Sequence, residues 1–171
     1  MMATGSFFVL TGLGVVLAIT SSLVEPRPIL VWNAAASAPR GLYCIAPLTG
    51  LQAGDLVLVQ PDPASAALYA ERGYLPLGVP LLKRVAALGG MRVCEHGGDV
   101  IIEGRHVANA LPTDGRGRPM TAWSGCRALS DSEFFALNAD VPTSLDGRYF
   151  GPSLLSSAIG RAIPVWTVKE R

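Results

Sequence analysis

Residues 6–24, SFFVLTGLGVVLAITSSLV, contain no charged side chain, and this stretch limits the fold more than any other feature of the chain. A helix needs roughly 20 apolar residues to cross a bilayer, and this run has that length. A cleavable signal peptide would have a basic N-terminal region and a cleavage site of small residues after the apolar segment. This chain instead begins with MMATG, and its apolar segment is followed by SSLVEP. We therefore predict a retained transmembrane anchor over residues 1–25, with a cleaved signal segment as the alternative, and a separate domain over residues 26–171.

The domain that follows is predicted to be mainly β, because short strand-like runs alternate with turn signals along it. A glycine pair, Gly97 and Gly98, sits between two β-rich runs and indicates a hairpin. The pattern predicts strands over 54–60, 133–138 and 156–168, one short helix over 63–74, and a long loop over 107–130.

Composition argues against several functions. The formal net charge is +1, and the 14 Lys and Arg residues are scattered, so the chain has no basic stripe for nucleic acid. The two histidines, His96 and His106, have no metal-ligand spacing, and we predict neither a metal nor a cofactor. Cys94 and Cys126 are either a disulfide pair, which would indicate a compartment outside the cytosol, or two small buried residues. Cys44 has no predicted partner.

The segment NAAASAPRGLY, residues 33–43, places one hydroxyl, that of Ser37, among small residues. It is either a linker or an accessible nucleophile. A serine nucleophile needs a base, and neither histidine suits that role. Lys83 interrupts the apolar run PLGVPLLKRVAAL, where burial would lower its pKa and let a neutral amine accept a proton. The alternative for Lys83 is an edge strand whose Lys and Arg face solvent.

A third segment, SLDGRYFG, places Ser144, Asp146 and Arg148 at alternate positions. If the segment is extended, a hydroxyl, a carboxylate and a guanidinium share one face, which suits the positioning of a lysine. The Asp–Arg pair read alone would be structural.

With its three segments in this order after an anchor, the sequence resembles the signal peptidase I family of membrane-bound Ser/Lys proteases (peptidase family S26). The motifs are S-x-P-x-G-L-Y, then K-R-V with a glycine pair downstream, then S-x-D-x-R-Y-F-G. Pro39 stands two residues after the serine, which is similar to the conjugative-transfer (TraF-type) branch. The W-x-G-C of residues 123–126 and the closing GRAIPVWT are similar to that branch as well. The resemblance implies an antiparallel β catalytic domain.

The resemblance also implies a role for each matching residue. Ser37 matches the nucleophile and its backbone N–H one oxyanion donor, while Lys83 matches the general base. Ser144 matches the hydroxyl that orients the lysine, and Asp146 and Arg148 match the supporting ion pair.

Two departures from the family pattern lie close to these residues. Ala35 replaces the hydroxyl residue whose side chain completes the oxyanion hole, and the amide of Asn33 is a candidate substitute. Gly147 stands where a serine is common.

The implied function is cleavage of exported precursors, such as conjugative pilin, after small residues at the periplasmic face of the bacterial inner membrane, with ring closure of the pilin as a variant. The predicted partners are the precursor and the membrane. The alternatives are a catalytically silent scaffold of pilus assembly and a general signal peptidase.

Overall fold

The computed structural model describes Thr11 and residues 30–168, and these fold mainly as antiparallel β-structure. The strands are β1 (Leu30–Asn33), β2 (Gly41–Ala46), β3 (Leu56–Val59), β4 (Leu81–Leu88), β5 (Arg92–His96), β6 (Asp99–Ile102), β7 (Arg105–Asn109), β8 (Gly125–Ala128), β9 (Glu133–Ala136), β10 (Ser153–Leu154) and β11 (Ala158–Thr167). Helix α1 spans Pro63–Glu71, helix α2 spans Gly147–Phe150, and a single 3₁₀ turn covers Leu155–Ser157.

Two sheets contain these strands. The larger has the order β1-β2-β11-β3-β4-β9-β10 and the smaller the order β7-β6-β5-β8, with every pair antiparallel. The predicted mainly β fold is therefore confirmed. The predicted anchor over residues 1–25 lies outside the described residues except for Thr11, and no helix among the described residues is long and apolar enough to span a bilayer.

Strand β4 carries Lys83 through the middle of the larger sheet, between β3 and β9. Side chains along a strand alternate between the two faces of the sheet. Lys83 therefore shares a face with Val85, and both are buried, whereas Arg84 is exposed. The alternative of an edge strand with a solvated lysine is wrong for this reason.

The smaller sheet contains the predicted hairpin, which joins β5 to β6 through Gly97 and Gly98. Both glycines have positive φ, at 62° and 99°, a conformation that suits a tight hairpin turn. The long loop predicted over 107–130 is partly wrong, because β7 extends into it and β8 pairs with β5 inside it. That pairing places Cys94 opposite Cys126, and the two form a disulfide.

Phe135 and Phe134, on β9, contribute to two separate apolar clusters. Phe135 packs with residues of the smaller sheet such as Val93 and Val100, and Phe134 packs with Val57 on β3. All five side chains named here are no more than 1% exposed. Strand β9 thus fixes the smaller sheet against the larger one, next to the strand that carries Lys83.

Candidate active site

The amine of Lys83 lies inside the protein, with the residue only 3% exposed. Its Nζ donates a hydrogen bond to the Ser144 hydroxyl at 2.9 Å. Burial lowers the pKa of Lys83 from its ordinary 10.5 to about 8; the Asp146 carboxylate opposes this shift and the Arg148 guanidinium adds to it. A lysine with this pKa is neutral in a substantial fraction of molecules near physiological pH, so its lone pair can accept a proton.

Ser37 lies in the turn between β1 and β2, and it is half-buried. Its backbone carbonyl accepts a hydrogen bond from Asn138 Nδ2 at 2.5 Å. Within residues 30–168, neither the hydroxyl nor the backbone N–H of Ser37 makes a hydrogen bond. Both groups therefore remain available for a substrate or for Lys83.

One cavity of about 250 Å³ brings Ser37, Lys83 and Ser144 together on its wall. The rest of its lining is largely apolar or aromatic, and includes Leu75, Leu81, Leu145 and Tyr69. The structure places Ser37 and Lys83 in one cleft without a hydrogen bond between their side chains. Such bonds are often long in enzymes without substrate and shorten only when substrate binds.

Asp146 and Arg148 form a bidentate ion pair in which both side chains are fully buried. The Arg148 Nε lies 2.8 Å from Asp146 Oδ1, and Nη2 lies 3.2 Å from Oδ2. The segment is not extended throughout, so the condition for a shared strand face is not met: Asp146 is the N-cap of helix α2, and Arg148 lies within that helix. Ser144 and the ion pair nevertheless converge on Lys83, because the turn before α2 folds back onto β4.

The guanidinium of Arg148 also binds backbone carbonyls. It donates to Asn109, Pro142 and Asn138 at 3.0 Å each, and to Val141 at 3.3 Å. Because charged donors make the stronger hydrogen bonds, these contacts hold the irregular segment before α2 in one conformation.

Asn33 does not direct its amide into the cleft. Its Nδ2 donates to the carbonyls of Ala35, Ala38 and Pro39 at 3.0, 3.0 and 3.2 Å, and its Oδ1 accepts from the Ala35 N–H at 3.1 Å. In this conformation Asn33 organises the Ser37 turn. Ala35 lines the cleft itself, but it offers no side-chain donor.

Close packing of α2 against β9 explains why position 147 is a glycine. A Cβ placed there would lie 2.8 Å from the Ala136 carbonyl oxygen and 2.8 Å from Phe135 Cζ. Real Cβ atoms do not come this close to backbone, so a serine at this position would push α2 away from β9.

Asn138 is the site residue that sequence reasoning missed. It lies 101 residues from Ser37 in the chain, and its side chain contacts the Ser37 turn and strand β4. An asparagine after a β-rich run is ordinary in a sequence, and no local signal separates it from a turn residue.

Among the residues that the structure describes, one group has metal-ligand atoms close together, namely Cys94, His96 and Cys126, whose atoms lie within 4.8 Å of one another. Metals bind cysteine as the thiolate, and these two sulfurs are bonded to each other in the disulfide. The group is therefore not a ligand set in the oxidised protein.

Comparison with known proteins identifies relatives by their sequence. A probable conjugal transfer protein TraF of Sinorhizobium fredii (strain NBRC 101917 / NGR234) is 38% identical over 145 residues, which cover 79% of this chain and 76% of the relative. The conjugal transfer protein TraF of Agrobacterium fabrum is 36% identical over 147 residues, covering 79% and 81%.

A crystal structure of a signal peptidase I from Enterococcus faecalis V583 aligns at 18% identity with a TM-score of 0.39, covering 66% of this chain and 97% of that one. This likeness is too weak to inform the fold. The family model described as "Signal peptidase, peptidase S26" matches residues 2–167, nearly the whole chain. The resemblance drawn from the three motifs is confirmed, and the chain belongs to the peptidase S26 family of signal peptidases.

Proposed function

We propose that the chain is a serine endopeptidase with a Ser37–Lys83 dyad. The observation that carries this proposal is the buried amine of Lys83, held by the Ser144 hydroxyl on the wall of the cleft that also contains Ser37. A lysine costs free energy in such a position, so its burial next to an accessible serine calls for a chemical reason. Proton abstraction by the neutral amine supplies that reason.

The chemistry follows from the groups present. The lone pair of neutral Lys83 takes the hydroxyl proton of Ser37, and the oxygen attacks the substrate carbonyl to give a tetrahedral oxyanion. The lysinium then gives its proton to the leaving amine as the C–N bond breaks and an acyl-enzyme forms. Water attacks the ester with Lys83 again as base, and the serine is regenerated. Ser144 accepts an N–H of the amine throughout, which keeps the lone pair directed at Ser37.

The backbone N–H of Ser37 is the proposed oxyanion donor, since it makes no hydrogen bond within residues 30–168. Asn33 and Ala35 do not complete the hole in this conformation, because the amide of Asn33 is engaged by the turn. The proposed site therefore has one identified donor. Loss of a second donor reduces rates by about 10²- to 10³-fold, so we expect slow turnover.

The proposed substrate is an exported precursor protein, such as a conjugative pilin, cut after a small residue. Support comes from relatives that are conjugal transfer proteins and from the small, largely apolar cleft. Residues 6–24 support a single-pass inner-membrane location with the domain in the periplasm, and the disulfide suits that compartment. If an amine of the cleaved pilin replaces water at the acyl-enzyme, the product is a ring.

A scaffold without catalysis is the second candidate, and Ala35 is the observation that favours it, because it removes the expected oxyanion hydroxyl. A general signal peptidase is the third, with the same chemistry on a wider range of precursors.

Co-expression of the full chain with a candidate pro-pilin, followed by mass spectrometry of the pilin, separates these functions. Wild type should process the precursor, and Ser37→Ala and Lys83→Ala should not. An unprocessed precursor with wild type contradicts the protease, and processing by Ser37→Ala contradicts the nucleophile. A product one water lighter than the cleaved linear chain identifies ring closure.

The pH dependence gives a second test of the same proposal. Because the base must be neutral and its pKa is about 8, kcat/KM should rise through pH 8 and be about tenfold higher at pH 9 than at pH 7. A rate that is flat from pH 7 to 9 would exclude Lys83 as the base.

A further inference from the structure

We propose that Asn138 is a positioning residue that holds the Ser37 turn in register with Lys83. This inference rests on the proposed function, since it concerns how the two members of the dyad are kept in one geometry.

The side chain of Asn138 bridges the two parts of the chain that carry the dyad. Its Nδ2 donates to the Ser37 carbonyl at 2.5 Å and to the Leu82 carbonyl at 3.3 Å. Its Oδ1 accepts from the Arg84 N–H at 2.9 Å. Leu82 and Arg84 are the neighbours of Lys83 in β4, so one amide group binds the backbone on both sides of the base and the backbone of the nucleophile.

The main chain of Asn138 is itself fixed. Its N–H donates to Asp146 Oδ2 at 3.0 Å, and its carbonyl accepts from Arg148 Nη2 at 3.0 Å. The residue is only 7% exposed. A bridging side chain restrains its partners only if its own backbone cannot move, and the buried ion pair meets that requirement.

Among the hydrogen bonds between residues 30–168, the contact with Asn138 is the one that joins the turn to strand β4. Within residues 30–168, the other hydrogen bonds to residues 35–38 come from Asn33, which precedes the turn in the chain. Asn33 can shape the turn, but it cannot set the distance between Ser37 and Lys83. Misplacement of a reacting group by 1 Å reduces a rate by about 10²-fold, so this one contact bears directly on turnover.

A purely structural role for Asn138 makes different predictions. In that case removal of the amide would lower the free energy of unfolding, while each folded molecule kept its activity. In the positioning role, the folded molecules themselves turn over slowly. The aspartate variant separates the two, because it has nearly the same shape and still accepts from Arg84 but has no donor for the Ser37 carbonyl.

The test compares the full chain in detergent micelles as wild type, Asn138→Asp, Asn138→Ala and a control, Gln52→Ala, with the pro-pilin as substrate. Gln52 also has an amide side chain, but it is exposed and is not part of the cleft wall. Per folded molecule, both Asn138 variants should lose about 10- to 100-fold in kcat with KM changed by less than about threefold. Gln52→Ala should match wild type.

The pH profile distinguishes positioning from an effect on the base. In Asn138→Ala the midpoint of the kcat/KM profile should stay near pH 8, because Lys83 remains as deeply buried and keeps its bond to Ser144. The proposal is overturned if Asn138→Asp has a kcat within threefold of wild type, or if the variants lose activity through KM alone. It is also overturned if the midpoint of the Asn138→Ala pH profile shifts away from pH 8.

Failure of this inference and failure of the proposed function give different patterns. If wild type leaves the precursor uncut or Ser37→Ala cuts it, the dyad is wrong. If wild type is active, Ser37→Ala is inactive and Asn138→Asp is fully active, the dyad stands and the positioning role is wrong. Circular dichroism and the urea midpoint establish the folded fraction of each variant. If the Asp and Ala variants fail to fold, Asn138→Ser undergoes the same comparison with the same limits, because its short side chain has a single hydroxyl and cannot make the three contacts of the amide together.

Discussion

Replacement of Lys83 by methionine should abolish processing and stabilise the fold. Methionine has a similar length and no charge, so it fills the same space on the core face of β4. In the native protein the pKa of Lys83 is about 8, and in the unfolded chain it returns to about 10.5. Below pH 8 Lys83 is protonated in both the native and the unfolded state. The difference between the two pKa values then corresponds to a destabilisation of the native state by about 3 kcal/mol, which is the cost of the buried charge.

The methionine variant also loses the hydrogen bond to Ser144, which offsets about 1 kcal/mol of that gain. We therefore expect Lys83→Met to be about 2 kcal/mol more stable than wild type at pH 7, which moves a urea midpoint by about 1 M. The way this stability difference changes with pH follows from proton binding by Lys83. Between pH 8 and 10.5 the unfolded chain binds a proton that the native state has released, so wild type gains stability as the pH rises and the difference closes.

Urea unfolding of the full chain at pH 7 and pH 10, followed by tryptophan fluorescence, measures both effects. Arg84→Met is the matched control, because Arg84 is the next residue in β4 and is exposed, and its stability should change by less than about 0.5 kcal/mol. A Lys83→Met variant that is less stable than wild type at pH 7, or a difference that does not change with pH, would refute the argument from burial.

Three further changes test the surroundings of the cleft. Gly147→Ala should destabilise the fold by about 1–3 kcal/mol, because the added Cβ meets a backbone oxygen at 2.8 Å. Urea unfolding measures this loss, and an unchanged urea midpoint would mean that α2 moves freely. Ala35→Ser should raise single-turnover cleavage about tenfold by adding a hydroxyl donor to the oxyanion hole, and an unchanged rate would show that position 35 does not face the oxyanion. Replacement of both Cys94 and Cys126 by serine should lower the free energy of unfolding by about 3–4 kcal/mol, because the disulfide closes a loop of 32 residues in the unfolded chain. A urea midpoint equal to that of the oxidised protein would contradict this.

Lys83 and Ser37 could be singled out from the sequence because each breaks a local pattern. A charge in an apolar run is anomalous whatever the fold, and the strand period then places it on the core face. A single hydroxyl among alanines is anomalous in the same way. Both signals are local, and in the folded chain Lys83 is buried on the wall of the cleft that also contains Ser37.

The features missed from the sequence depend on distant contacts. Strand β8, GCRA, has no β-branched residue, and it is a strand because β5 pairs with it next to the Cys94–Cys126 disulfide. The segment containing Asp146 has alternating polar residues, which suggested a strand, but an aspartate that accepts from the Arg148 N–H begins a helix equally well. Asn138 acts through partners 54 to 101 residues away, which no window of sequence contains.

The contacts of Arg148 have a consequence for which sequences this site can tolerate. Its guanidinium binds peptide oxygens of residues 138, 141 and 142, and every amino acid offers that oxygen. The side chains of residues 139–143 can therefore differ widely among relatives while the backbone path to Ser144 is preserved. Arg148 itself has no such latitude, because a lysine has neither the planar fork nor the number of donors needed to replace it.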